Sequence, residues 1–206
     1  MGFYDDKILP RLIEKTCGMP QMNKLRRHAC APLHGDVVEI GFGSGFNVGQ
    51  YPDAVTSVVG IEPSDVGWER AQRRVASSSI PISRGGLDGQ RIPFPDDTFD
   101  SALSTFTLCT VPDIAAALTE LRRVVKPGGT LAFLEHGTAP DSGVRRVQRM
   151  LDPIERLVAG GCELTRDTAA QVRAAGWRIE ELEQFYAKAA PKPWAAFSRG
   201  YAVDPG

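Results

Sequence analysis

The chain has 206 residues, a formal net charge of −1, and 42% hydrophobic and 24% charged residues. That length suits one domain with a sizeable core rather than two. A near-neutral chain has no global field to draw nucleic acid or an anionic membrane, so the composition points to neither partner. The four cysteines (Cys17, Cys30, Cys109, Cys162) and three histidines (His28, His34, His136) make no CxxC pair and no zinc-site spacing, so no metal is expected. Scattered thiols fit a reducing compartment. Asp5 and Asp6 stand where a signal peptide carries basic residues, and no apolar run reaches membrane-spanning length. The expected location is cytoplasmic. Arg26-Arg27 and Arg145-Arg146 are expected on solvated helix faces.

In chain order, the first ~35 residues predict helical pieces broken at Pro10, Pro20 and Pro32, with Ile8, Leu12 and Ile13 as an apolar stripe. Val37 to Ile40 is a short strand ending in a glycine turn. Val55 to Ile61 is a second strand, and Ser64 is placed to cap the helix after it, which carries Val66, Ala71 and Val75. Ile80-Pro81-Ile82 is a weak third strand and Phe99 to Phe106 a fourth. Asp113 to Val125 is the clearest helix, with Ile114, Leu118, Leu121 and Val125 on one face. Lys126-Pro127-Gly128-Gly129 stops it, and Thr130 to Leu134 is a fifth strand. A helix over Arg145 to Val158 follows, then one over Thr165 to Ala175, capped by Thr165 and closed by Gly176. Trp177 to Phe185 and Ala195 to Val203 predict a terminal antiparallel pair. Alternating strands and helices imply an α/β fold with parallel strands covered on both faces.

The sharpest local feature is Glu39-Ile40-Gly41-Phe42-Gly43-Ser44-Gly45, directly after the first strand. Residues without a Cβ let a ligand approach the backbone and permit positive φ. The spacing is G-x-G-x-G, with Phe46 where the dinucleotide fingerprint needs Gly or Ala, which disfavours an NAD-dependent oxidoreductase. Glu62, at the end of the second strand, can accept hydrogen bonds from ribose hydroxyls. Two acids at consecutive strand ends around a glycine loop point to an adenosine-containing ligand without saying which.

Four segments occur together in order: Glu39-x-Gly41-x-Gly43-x-Gly45; Ile61-Glu62-Pro63; Ile92-Pro93-Phe94-Pro95-Asp96 with Phe99-Asp100; and Val125-Lys126-Pro127-Gly128-Gly129. Over about residues 36–136 they resemble the class I S-adenosylmethionine (SAM)-dependent methyltransferases, in the branch containing the quinone-biosynthesis methyltransferases. The resemblance implies a Rossmann-like αβα sandwich with a seven-stranded, mostly parallel sheet whose last strand is antiparallel. It implies one domain over 1–206: an N-terminal helical segment (1–35), a cofactor-binding core (36–136), and a substrate-side insertion with terminal strands (137–206). It implies SAM as cofactor, with Glu39 on the methionine amino group and Gly41, Gly43 and Gly45 under the methionine and ribose. Glu62 would hold the ribose hydroxyls and Pro63 would pack on the adenine. Asp88 and the Gly89 N–H would meet the adenine edge, although Asp88-Gly89-Gln90 departs from the family's usual Asp-Ala-Glu. Thr105 would border the methionine end and Phe106 the acceptor.

Leu108-Cys109-Thr110-Val111, Glu135-His136, Leu151-Asp152-Pro153, Gly161-Cys162-x-Leu164-Thr165-Arg166 and Gly200-Tyr201-Ala202 resemble the pattern of the animal alkyl-thiol methyltransferases. This implies a small-molecule methyl acceptor, a thiol first, with a quinone precursor or other small aromatic as the alternative and a catalytically silent SAM-binding protein as a third reading. The animal proteins carry an N-terminal membrane anchor; no such run is seen here, and peripheral membrane association stays open. His136, just past the fifth strand, is either a base for the acceptor proton or a loop hydrogen-bonder. Cys109 either lines the acceptor pocket or is a buried apolar thiol. Cys162 is expected to be structural, Asp152 and Arg166 to form a lid ion pair or a surface pair, and Trp177 and Trp194 to be core.

Overall fold

A computed structural model describes residues 17–188 and 190–206. The expected stripe of Ile8, Leu12 and Ile13 lies outside the described residues. The elements run α1 (Pro20–Cys30), β1 (Gly35–Ile40), β2 (Val55–Ile61), α2 (Asp65–Ala76), β3 (Ile82–Gly86), β4 (Phe99–Thr105) and α3 (Ile114–Val124). Then follow β5 (Val125–His136), α4 (Ser142–Val158), α5 (Thr168–Ala174), β6 (Arg178–Tyr186), α6 (Lys192–Ala195) and β7 (Ala196–Val203). One seven-stranded sheet has the order β3-β2-β1-β4-β5-β7-β6. Strand β7 is antiparallel to both β5 and β6, and the other pairings are parallel.

Alternation along the central strands builds a core on each face. Val38, Ala102, Leu131 and Phe133 join Leu118, Leu121, Val172 and Trp177 on one side. Their neighbours Val37, Leu103 and Ala132 join Cys30, Leu33, Val55, Val58 and Ala71 on the other. Successive strand side chains point to opposite faces, so strands covered on both sides need apolar residues at both parities. Helices α3 and α5 therefore cover the first face, and α1 and α2 the second.

Several boundaries move for physical reasons. The third strand starts where the expected one ended, at Ile82, and continues through Arg84-Gly85-Gly86. Its pairing with Val58–Ile61 decides its place rather than its weak β-forming composition. Helix α5 is capped by Asp167, whose side chain accepts from Ala170 N–H, because the Thr165 hydroxyl donates instead to Asp152. Ser64 and Asp113 cap α2 and α3 as expected, accepting from Gly67 and Ala116. Pro20 begins α1 rather than breaking it, since the first helical turn has no use for its missing N–H.

The strand order reverses between β1 and β4. Ile40 pairs with Ile61 on one side and Ser104 on the other, so the carboxyl ends of β1, β2 and β4 lie together. Connections diverge at such a point and leave a crevice for a ligand.

Candidate functional site

Past Ile40 the chain enters the glycine loop, with Gly41, Gly43 and Gly45 all at positive φ. A Cβ on Gly41 would run into the Thr107 side chain. At Gly43, φ is +55° and a Cβ would meet nothing closer than the Gly41 carbonyl at 3.8 Å. The first glycine is thus required by the protein's own packing. The second leaves free space above the backbone.

Glu62 anchors this loop. One carboxylate oxygen accepts from Gly43 N–H at 2.6 Å and the other from Ser64 N–H at 2.7 Å. The side chain is buried and welds the β1 loop to the start of α2. Each carboxylate oxygen keeps a further lone pair able to accept a hydroxyl. Pro63 is exposed beside it.

Glu39 is buried, accepting from Asn47 Nδ2 at 2.8 Å and Tyr51 OH at 2.5 Å. Burial pushes its carboxyl up to about 7, against the pull of those hydrogen bonds and of the Arg26 guanidinium. Arg26 is not a solvated residue. It is buried and reaches from α1 to Asn47 Oδ1 at 2.9 Å and Thr105 Oγ1 at 2.8 Å. Its guanidinium lies 5.0 Å from the Phe106 ring centroid and 5.5 Å from that of Phe46. Its Nε is buried with no partner among the described residues. An orphaned donor on a buried cation is costly in a closed interior, and it sits next to an acid. A zwitterionic amino-acid group would satisfy both. The open space at Gly43, the acceptors of Glu62 and this charge pair together fit SAM.

A second group of residues lies at the ends of β4, β5 and β7, beside the glycine loop. Phe106 is a non-glycine residue at φ +57°, a strained conformation. Its ring meets Phe197 edge-on at 5.6 Å, and Phe197 in turn faces His136 at 5.7 Å and Phe185 at 6.0 Å. Buried Glu135 organises the loop after β4, accepting from Ser104 Oγ at 2.7 Å and from the N–H groups of Thr107 and Cys109 at 3.3 and 3.1 Å. His136 is 7% exposed. Its Nδ1 lies 3.5 Å from Cys162 Sγ, and its Nε2 is buried without a partner among the described residues. The Cys109 hydrogen bond holds the Cys162 thiol below its ordinary value, against its burial and with help from His136. With Cys162 Sγ as the acceptor of this contact, Nδ1 carries the proton in the neutral ring and Nε2 presents its lone pair. Cys109 is buried, and its own thiol is pushed up by that hydrogen bond to Cys162 and by burial.

Residues 38–133 match the family described as a methyltransferase domain. These residues form a SAM-dependent methyltransferase domain. The chain is 37% identical to a demethylmenaquinone methyltransferase of Corynebacterium kroppenstedtii, over 56% of this chain and 48% of that protein. It is 30% identical to a thiol S-methyltransferase of Rattus norvegicus, over 71% of this chain and 62% of that protein. The chain thus spans about half to three-fifths of the length of these relatives. A putative methyltransferase of Bacillus halodurans has the same fold, with a TM-score of 0.69 at 18% identity over 89% of this chain and 99% of that one.

Other residues of the methyltransferase domain and its C-terminal extension meet expectation in part. Asp88 is exposed, and its Oδ1 accepts from Gln90 N–H and Gln90 Nε2, which leaves the other oxygen outward. Gly89 sits over Ile40, where an added Cβ would be 3.4 Å away. The Thr105 hydroxyl is already taken by Arg26 and Asn47. Asp152 and Arg166 do not pair: Asp152 holds Arg156 and Thr165, while Arg166 donates to the Leu108 and Val111 carbonyls at 2.7 Å and pairs with Glu163. Arg166 thereby ties the segment after α4 to the loop after β4. Trp177 is core, but Trp194 is 38% exposed. Arg145 lies against the helix start, donating to the Ala139 and Pro140 carbonyls. Arg26, Asn47, Tyr51 and Cys162 are the site members that sequence reasoning misses. Two clefts of about 460 and 550 Å³ open between α1 and the β6–β7 hairpin and leave out the glycine loop. Among the described residues no helix is long and apolar enough to cross a membrane.

Proposed function

We propose that this chain transfers the methyl group of SAM to the sulfur of a small-molecule thiol. When bound, SAM supplies an electrophilic methyl on a sulfonium, and displacement yields the thioether, S-adenosylhomocysteine and the thiol proton. Gly41, Gly43 and Gly45 form the floor for the cofactor and Glu62 holds the ribose. Pro63, Asp88 and Gly89 border the adenine. Glu39 carries the methionine ammonium, and Arg26, braced by Thr105, carries the carboxylate. Phe106 and Cys109 line the acceptor side, with the Phe197 ring packed against Phe106. The observation that carries the acceptor assignment is the buried, unpartnered Nε2 of His136. With the proton on Nδ1, facing Cys162, Nε2 offers a lone pair at the carboxyl end of β5. His136 takes the thiol proton at Nε2, and the aromatic walls exclude water, so the sulfur anion forms where it reacts.

A quinone precursor or other small aromatic is the second reading, favoured by the ring cluster of Phe106, Phe185 and Phe197 around the same space. Release of S-adenosylhomocysteine over a panel of alkyl thiols, phenols and hydroquinones separates the two. Turnover should be confined to, or strongest with, thiols. Turnover of hydroquinones alone would transfer the site to the second reading. Cofactor binding without turnover of any acceptor would leave a SAM-binding protein.

A further inference from the structure

Helix α4 is amphipathic in an inverted sense: its apolar stripe faces outward. Of the eight exposed large hydrophobic residues among those described, five lie on α4: Val158 at its end, and Val147, Met150, Ile154 and Leu157 at three- and four-residue spacing. Met150 is 73%, Ile154 62% and Leu157 80% exposed. The inner face is fixed. Gln148, fully buried, donates to the Gly137 and Pro193 carbonyls at 3.0 Å and accepts from Ala139 N–H at 2.9 Å. The stripe is therefore held on a rigid support. A continuous exposed apolar surface on a soluble domain marks a contact site.

The surrounding charge selects what touches it. Arg146 and Arg149 are exposed along one edge of the stripe, with no ion-pair partner among the described residues. Lys188 and Lys192 are exposed on the neighbouring segment that packs against α4. The acids of this region are already engaged. Asp141 accepts from Tyr186 OH, Glu155 from Trp194 Nε1, and Asp152 and Glu163 hold Arg156 and Arg166. Asp141 and Glu155 keep their charge, since their donors are neutral, but Arg145, Arg146, Arg149, Lys188 and Lys192 outnumber them, so the balance around the stripe is cationic, and Trp194 lies partly exposed at its margin. A second copy of this face would oppose arginine to arginine. An apolar stripe edged by cations and a tryptophan suits the boundary between anionic headgroups and acyl chains.

We propose that the outer face of α4 docks on an anionic lipid bilayer, with Met150, Ile154 and Leu157 in the acyl boundary and Arg146 and Arg149 on the headgroups. Gln148, on the inner face, ties α4 to Gly137, next to His136, so docking sets the acceptor side one helix away from the membrane. That last consequence rests on the acceptor assignment above; the docking itself does not.

The test is flotation of the full chain with phosphatidylcholine vesicles, with and without phosphatidylglycerol, alongside its sedimentation velocity without lipid. The protein should float with the phosphatidylglycerol vesicles and stay behind with phosphatidylcholine alone. Combined Met150→Ser, Ile154→Ser and Leu157→Ser should weaken vesicle binding roughly tenfold or more. Arg146→Ala and Arg149→Ala should each weaken it by roughly fivefold. These residues are exposed, so SAM affinity should be unchanged in every variant, which reports the fold and separates a failure here from a failure of the cofactor assignment. No flotation of the wild type would overturn the proposal. So would a wild-type dimer that the triple serine substitution dissociates, because the occupant would then be a second copy.

Discussion

Glu62→Gln tests the cofactor half of the site most sharply, because this one carboxylate does two jobs. It accepts from Gly43 N–H at 2.6 Å and from Ser64 N–H at 2.7 Å, and it offers its remaining lone pairs to the ribose. The amide has the same shape but only one oxygen. Whichever way it turns, its NH2 faces a backbone N–H, so one charge-assisted hydrogen bond is lost and a buried donor is left unpaired. Either effect is worth about 1–3 kcal/mol, and we take about 2 kcal/mol for the ligand-free protein. At ~2–4 °C per kcal/mol for a chain this long, the melting temperature should fall by roughly 4–8 °C. The ribose also loses a charged acceptor, worth about 1.5–3 kcal/mol, or roughly 10- to 100-fold in SAM affinity. Calorimetric titration with SAM and ligand-free thermal melting measure the two effects separately. SAM affinity within about twofold of wild type would remove Glu62 from the ribose site. An unchanged melting temperature would refute its anchoring role. The position at a strand end alone suggests a residue the fold can spare; its two backbone partners say otherwise.

Four further perturbations probe the rest of the site. Because burial raises Glu39 to about 7, its native form binds a proton more tightly than the unfolded chain does. Its contribution to ligand-free stability is then present below the ordinary value of ~4.3 and is lost as pH rises through about 7. A methionine ammonium favours the carboxylate, so calorimetry at about pH 6 in buffers of different ionisation enthalpy should show proton release on SAM binding. Glu39→Gln should abolish that release, and its absence in the wild type would contradict the assignment. Arg26→Met should weaken SAM by roughly 10- to 100-fold yet leave 5′-methylthioadenosine, which lacks the amino-acid group, unaffected; equal losses for both ligands would mean Arg26 only supports the fold. His136→Asn should slow thiol methylation by roughly 10²-fold or more, with the loss shrinking as pH passes the thiol value of ~8.5. Cys162→Ser should give part of that loss with the same pH dependence, because it removes the sulfur acceptor that faces Nδ1. A pH-independent loss in both would mean His136 positions the acceptor instead of taking its proton.

Sequence and structure agree where the signal is local. Val55 to Ile61 is a β-branched run whose bounds are those of β2, and the Ile114, Leu118 and Leu121 spacing is that of a helix with one buried face. Ser64 and Asp113 announce their caps by standing immediately before those helices. The glycine loop and Glu62 are legible because both end strands that the periodicity already marks. What stays hidden is set by distance along the chain. Arg26 looks like any helix-surface arginine until α1 packs and brings it to Thr105, 79 residues away. Cys162 sits in a glycine-flanked turn that suggests no chemistry, and only the return of the chain after α4 sets it beside His136. Strand β3 is chosen by its ladder with β2 rather than by Arg84-Gly85-Gly86, which have little preference for a strand. Polar residues such as Asn47 and Tyr51 carry no local mark of a site, because their role is to satisfy a carboxylate that only tertiary packing buries.

The most direct measurement is a competition in one vessel, with an alkyl thiol and a hydroquinone at equal concentration and SAM carrying an isotope-labelled methyl group. Mass spectrometry then follows both products. The label should appear on the thiol sulfur, one thioether per S-adenosylhomocysteine formed, and His136→Asn should lower that yield without lowering SAM affinity. Label on the hydroquinone alone, or on neither acceptor although SAM binds, would contradict the assignment of this site to thiol methylation.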